Sequence, residues 1–345
     1  MNIQTESVLR IIRQKHKIIA WGLLLPTALI FIQLAGFVMS SGPVAVPTRA
    51  YQDQNQNQGQ PEVLGESIDL RGPAQTGAGP YSGGKAPVPQ PAAPALTREQ
   101  LAKISAKSFL VYDQETGTVL ASRQPDQKLP IASLTKLMTG LLAYQYLDFS
   151  QPVIINKTGL TSIRPIVDFK NADEVRAGDV FNAMIVGSCN DSAQVLAQAI
   201  TQKTGTSVVT LMNQKAQELG MDNTSYANPI GFDNPDNYST ADDLKILVEI
   251  TQRLAIFSNL GKTNSVTFSG SDGQRYHAVA TNRLIAQYPE LYAVKTGYTE
   301  GAQGVMVSKI VRTGHNVIII VLGSRDREAD TVLLKNLVAD RTVWQ

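Results

Sequence analysis

The chain has 345 residues, 17% of them charged and 43% hydrophobic, with a net charge of +2. That length suits one domain of roughly 200–250 residues with appendages, and the near-neutral charge excludes a basic nucleic-acid surface and an acidic tail. A single cysteine excludes a disulfide framework or a cysteine-based zinc site; His16, His277 and His315 lie far apart without an HExxH pair, so nothing requires a metal or another cofactor.

Residues 1–17 are polar and carry Arg10, Arg13, Lys15 and Lys17, whereas Ile18 to Met39 contains no charged residue. At a helical rise of about 1.5 Å these 22 residues span roughly 33 Å, the thickness of a bilayer's hydrocarbon core. The next positive charge is Arg49, so the positive-inside rule leaves the N-terminus in the cytoplasm and the rest outside the cell membrane. A cleaved signal peptide is the rival, since Ser40, Ser41 and Gly42 follow. Its apolar region usually runs ~7–15 residues, and the longer stretch favours an uncleaved single-pass anchor.

Residues 40–97 hold nine of the seventeen prolines and the runs QDQNQNQGQ and APVPQPAAPA. Such a composition buries too little apolar surface to offset chain entropy, and the segment reads as a disordered tether. Residues 98–345 read as one domain. SFLVYDQ and TVLASRQ flank Glu115-Thr116-Gly117 as a hairpin, and Ser133 opens the helix SLTKLMTGLLAYQYL. Helical patterns recur in VFNAMIVGS, DSAQVLAQAIT, TSVVTLMNQKAQELG and TADDLKILVEITQRLAI. The strands SVTFS, RYHAVA, LYAVKT, GVMVSKIV and NVIIIVLG follow, before a closing helix READTVLLKNLVADR. The pattern predicts an α/β (α+β) fold with a central antiparallel sheet flanked by helices and split in sequence by a helical insertion.

Three short motifs converge on one chemistry. Ser133 and Lys136 are three apart, which places both on one helix face; a serine hydroxyl needs a proton acceptor, and lysine serves only when burial or a second cation destabilises its ammonium. A second SxxK, Ser82 to Lys85, lies in the tether, where glycines and prolines preclude a helix. Ser188-Cys189-Asn190 falls between two helical stretches, where a hydroxyl and an amide can relay a proton and hold a substrate amide; capping is the plainer alternative. Lys-Thr-Gly occurs at 157–159, 203–205 and 295–297. Lys203 to Gly205 ends a helix, while Lys295-Thr296-Gly297 follows an apolar strand that can present it to a cleft.

The order SxxK, SxN, KTG is the signature of penicillin-binding proteins and class A β-lactamases. The blocks PIASLTKLMTG, SCNDSA, NPIGFDNPDNYSTADDL and AVKTGYTEGAQG, within residues 104–340, resemble the low-molecular-mass D-alanyl-D-alanine carboxypeptidases of serine peptidase family S11. The family usually has glycine at the position of Cys189, which reads here as a small buried residue. The resemblance implies a β-lactamase/transpeptidase-like fold and acyl-enzyme chemistry on peptidoglycan stem peptides ending in D-Ala-D-Ala, with β-lactams as inhibitors. It implies Ser133 as nucleophile and Lys136 as base, helped by the charge of Lys295. It further implies Ser188 and Asn190 as proton shuttle and acyl-chain holder, and the amides of Ser133 and Tyr298 as oxyanion donors. Thr296 and Arg327 would bind the terminal carboxylate beside Gly297. The 48 residues after Gly297 leave no room for the β-rich second domain and C-terminal anchor of many relatives, whose place the N-terminal helix would take.

Other readings stay open from the residues alone: an endopeptidase cutting D-Ala cross-links, a class A-like β-lactamase, a silent wall-binding domain, or an adaptor acting through the tether. Against the β-lactamase, residues 221–240 contain no glutamate, Glu218 reads as solvent-facing, and Asp222, Asp233 and Asp236 read as turn and capping residues. His277 and His315 read as structural.

Overall fold

The computed structural model describes residues 91–160 and 166–344. The readings of residues 1–17 and 18–39, and of the tether up to residue 90, lie outside the described residues. Among the described residues no helix is long and apolar enough to cross a membrane. Residues 91–97, read above as the end of the tether, lie on the domain. The Ala92 amide donates to the Val343 carbonyl at 3.1 Å. Thr97 and Gln100 form a reciprocal capping box that starts α1 (Arg98–Ala102).

A five-stranded antiparallel sheet has the order β2-β1-β9-β8-β7. Its strands are β1 (Ser108–Asp113), β2 (Val119–Arg123), β7 (Leu291–Thr299), β8 (Gln303–Arg312) and β9 (His315–Ser324). The first strand thus pairs with the last, and the insertion between them is mostly helical, as the pattern predicts. The insertion carries α2 (Thr135–Tyr146), α3 (Ala177–Val186), α4 (Asn190–Thr204), α5 (Val208–Glu218), α6 (Ala241–Arg253) and α7 (Ala255–Ser258). Two hairpins accompany them: β3 (Pro152–Ile154) with β4 (Glu174–Arg176), and β5 (Ser265–Ser269) with β6 (Arg275–Val279). The closing helix α8 (Arg327–Leu334) runs into a π-helical turn at Lys335–Ala339.

The two faces of β9 explain its unbroken apolar sequence. Ile318, Ile320 and Leu322 enter the core shared with the helical insertion, while Val317, Ile319 and Val321 enter a second core beneath α8. A strand covered on both sides has no polar face to alternate. His315, the first residue of β9, has its Nδ1 3.1 Å from Asp113 Oδ1 and its ring against Trp344, while exposed His277 contacts Thr267.

Helix α2 is the centre of the larger core, buried from Thr135 through Ala143, and it departs from the one-sided helix its spacing suggests. A helix surrounded by protein needs no polar face. Gly140 makes this possible, because a Cβ there would lie 2.9 Å from a Phe257 ring carbon and 3.0 Å from one of Phe181. Phe181 in turn packs edge-on against Phe257 at 5.0 Å and tilted against Phe149 at 4.9 Å. Phe181→Ala should therefore leave an unfilled cavity and cost about 3–5 kcal/mol, measured by denaturant unfolding.

Candidate active site

Four segments converge at the β7 edge of the sheet: the turn before α2, the turn joining α3 to α4, the loop 228–233, and β7 itself. Ser133 does not open a helix as the sequence suggests. It sits within a 3₁₀ turn, Ala132–Leu134, and the α-helix starts at Thr135. Ala132 has φ +44°, a left-handed conformation that costs a β-carbon-bearing residue of order 1–3 kcal/mol. Gly231, at φ +89°, packs so closely on this turn that a Cβ would fall 1.8 Å from the Ala132 carbonyl oxygen. The loop is pinned from within: Asn228 Oδ1 accepts from the amides of Ile230, Gly231 and Phe232 at 3.3, 2.7 and 3.0 Å. From α2, Thr139 donates to the Pro229 carbonyl at 2.7 Å.

Lys136, one turn into this arrangement, is fully buried. Its Nζ lies 2.9 Å from Ser133 Oγ, 2.8 Å from Asn190 Oδ1 and 2.6 Å from the Ile230 carbonyl oxygen. Burial brings its pKa down to about 7. In the ammonium form all three N–H groups donate to these partners. After losing one proton, the amine still donates to Asn190 Oδ1 and the Ile230 carbonyl oxygen, atoms with no proton to offer, and its lone pair faces the one partner atom that has, the Ser133 hydroxyl.

Ser188 and Asn190 stand on either side of buried Cys189 in the α3–α4 turn, with Ser188 at φ +58°. Cys189 supplies the N-cap of α4, its sulfur accepting from the Ser192 amide at 3.4 Å. Lys295, also buried, donates to Ser188 Oγ at 2.7 Å and to the Thr296 carbonyl at 2.8 Å. Burial lowers its pKa far below the usual lysine value, and the charges of Lys136 and Arg327 lower it further.

Gly297 lies against the Ser133 amide, for a Cβ there would be 2.7 Å from Ser133 N. Tyr298 follows with its side chain 62% exposed, so only its backbone faces the strand pairing. Arg327, at the start of α8, donates from Nη1 to the Gly297 carbonyl at 2.6 Å and from Nε to Glu328 at 3.0 Å. It braces the Lys-Thr-Gly strand from behind and brings a positive charge to it.

The other motif copies are elsewhere: Lys157 pairs with Asp168 at 2.9 Å, and Lys203 closes α4 ahead of Gly205 at φ +69°. Glu218 is exposed and paired with Lys215. Asp233 does more than the capping expected of it. Its carboxylate crosses to the β7–β8 turn, accepting from Thr299 Oγ1 at 2.6 Å and the Gly301 amide at 3.0 Å. Two groups carried no sequence signal: the Ile230 carbonyl, a backbone acceptor, and Thr281, whose hydroxyl is 2.5 Å from that of Thr296.

A hydroxyl held against a buried, near-neutral amine, beside a strand edge and a backbone amide, is the equipment of serine acyl-transfer proteins. The sequence profile described as D-alanyl-D-alanine carboxypeptidase, peptidase S11, matches residues 95–326, and the chain belongs to that family. It is 29% identical to the Bacillus subtilis D-alanyl-D-alanine carboxypeptidase DacF over 67% of this chain, and spans 61% of that relative's length. Among solved structures, the Streptomyces K15 DD-transpeptidase superposes with a TM-score of 0.62 at 26% identity, covering 68% of this chain and 97% of that one. Penicillin-binding protein D2 from Listeria monocytogenes, in its ampicillin-bound form, gives a TM-score of 0.58 at 26% identity over 68% and 98%.

The position of the Lys136 pKa fixes a pH dependence. The neutral amine is the form able to take a proton, and its population grows as pH rises through about 7. Acylation of Ser133 by a small neutral activated ester should rise across that interval and level off above it. Lys136→Ala should lower the rate by orders of magnitude and abolish this rise, as read by stopped-flow kinetics across the pH range.

Proposed function

We propose that the chain is a serine D-alanyl-D-alanine carboxypeptidase acting on peptidoglycan stem peptides through an acyl-enzyme on Ser133. The observation that carries this reading is the contact of Lys136 Nζ with Ser133 Oγ, Asn190 Oδ1 and the Ile230 carbonyl. Ser133 Oγ adds to the carbonyl carbon of the penultimate D-alanine while its proton passes to Lys136 Nζ. The amides of Ser133 and Tyr298 receive the developing oxyanion. The C–N bond then breaks, the leaving amine of the terminal D-alanine takes through Ser188 the proton that Lys136 received, which returns Lys136 to the neutral amine, and an ester remains on Ser133. Water adds to that ester, its proton is taken up by the same base, and Ser133 Oγ leaves with a proton restored. Lys295 and Thr296 bind the terminal carboxylate, with Arg327 adding charge behind them, and Asn190 holds the acyl chain.

The same residues favour a peptidase over a β-lactamase. Residues 221–240 offer no glutamate to activate the deacylating water, and Glu218 is occupied by Lys215 at the surface. Penicillin should give one long-lived adduct by intact-mass measurement, absent in Ser133→Ala. The wild-type protein should release D-alanine from stem pentapeptides, identified by mass spectrometry. Rapid turnover of penicillin without an adduct would overturn the peptidase reading, and loss of both activities would leave a silent wall-binding domain.

Membrane attachment belongs to the same proposal. The uncharged stretch 18–39 behind a basic N-terminus supports a single-pass anchor with the catalytic domain outside. Protease added to spheroplasts should digest residues 98–345 while an N-terminal fragment stays with the membrane. A soluble mature form beginning near residue 42 would point to cleavage instead.

A further inference from the structure

Thr281 lies outside all three motifs, on the segment that follows β6. Its amide donates to the Val186 carbonyl at 3.2 Å, at the end of α3 and two residues before Ser188. Its side chain reaches the other way, to Thr296 Oγ1 at 2.5 Å. Thr281 and Arg327 also line one open groove of about 1150 Å³ that reaches along α8.

A hydroxyl has one proton to give and two lone pairs. When two hydroxyls meet, one proton is spent between them and a single O–H remains for a third partner. Lys295 reaches the Thr296 carbonyl and the Arg327 guanidinium, a fixed positive charge, reaches the next carbonyl at Gly297, so the partner favoured beside Thr296 is an anion. If Thr281 donates to Thr296, the remaining O–H belongs to Thr296, and its donation is strengthened by the bond it receives.

We propose that Thr281 is a positioning residue of the carboxylate subsite: its hydroxyl donates to Thr296 and so aims the Thr296 O–H at the carboxylate that ends the substrate. This rests on the function proposed above. The tie to Val186 fixes Thr281 against the helix that leads into the Ser188 turn, so the carboxylate holder and the proton-relay turn keep a common register.

The test uses the full chain with two acyl donors, a peptide ending in D-Ala-D-Ala with a free carboxylate and a neutral activated ester with none. For Thr281→Val, kcat/KM on the peptide should fall about tenfold, the scale of one hydrogen bond to a charged group. Acylation by the ester should stay within twofold of wild type. Thr281→Ser keeps the hydroxyl and should match wild type on both donors. Equal losses on peptide and ester in Thr281→Val would make Thr281 a merely structural residue, and unchanged rates on both would remove it from the subsite. Failure of the wild-type protein to release D-alanine from the peptide would overturn the parent reading, and is seen before any variant is compared.

Discussion

Burying the amine of Lys136 beside Ser133 imposes most of what surrounds it. An amine removed from water must find a partner for each N–H, and two of those partners have to be pure acceptors if the third is to be the serine. One acceptor, Asn190 Oδ1, comes from the α3–α4 turn; the other, the Ile230 carbonyl, comes from a loop almost a hundred residues along the chain. The roles of Asn228, Gly231 and Thr139 follow from that second acceptor, because a backbone carbonyl can be aimed only by fixing the loop that carries it. Asp233 then ties the outer end of the same loop to the β7–β8 turn. One buried nitrogen thus gathers three segments of the helical insertion, and Asp233 ties them to the edge of the sheet.

The strain in the site is placed where this arrangement needs it. Ala132 and Ser188 both adopt left-handed backbone conformations, next to Ser133 and within the serine-asparagine motif. Neither residue is a glycine, so each pays a conformational cost that the packed surroundings must offset. The offset is visible in α2, whose buried apolar face anchors the turn before it, and in Cys189, whose buried sulfur caps α4 beside Ser188. A rigid helix start on each side of the cleft holds two strained turns at hydrogen-bond distance from two lysines.

The sheet was legible because β9 and β8 are long and carry runs that only a doubly covered strand explains, and the helices because their apolar spacing is sustained. Short elements were not. The β3–β4 hairpin has three-residue strands, too short to show a period, and it is interrupted by the residues between Ile154 and Glu174. Among three Lys-Thr-Gly copies, chain order and the preceding apolar strand picked out Lys295, since Lys203 already had an adequate role in ending a helix. What the sequence could not convey was any contact made by backbone or by an unremarkable side chain. Ile230 contributes through its carbonyl, which its residue type does not encode. Thr281 and Asp233 are common surface residue types whose partners, Thr296 and Thr299, are remote in sequence. The 3₁₀ start at Ser133 was hidden for a different reason: the spacing of Ser133 and Lys136 brings the side chains together in either helix type, so the pattern cannot tell them apart.

The two buried lysines give the site a definite electrostatic order. Each is pushed toward its neutral form by burial, and Lys295 also feels Lys136 and Arg327. Adding a proton to either makes adding one to the other harder, because like charges at short range in a poorly solvated site repel strongly. A carboxylate bound at Thr296, as the proposed function requires, would change this balance by stabilising the charged form of Lys295, the lysine whose hydrogen bonds reach Ser188 and the Thr296 carbonyl. A charged Lys295 in turn disfavours a proton on Lys136, which leaves the amine beside Ser133 with its lone pair. On the proposed function, an anion bound at the Lys-Thr-Gly strand and the amine beside Ser133 would therefore be linked through a single repulsion, and the substrate's carboxylate would help to keep Lys136 in the form that can accept the serine proton.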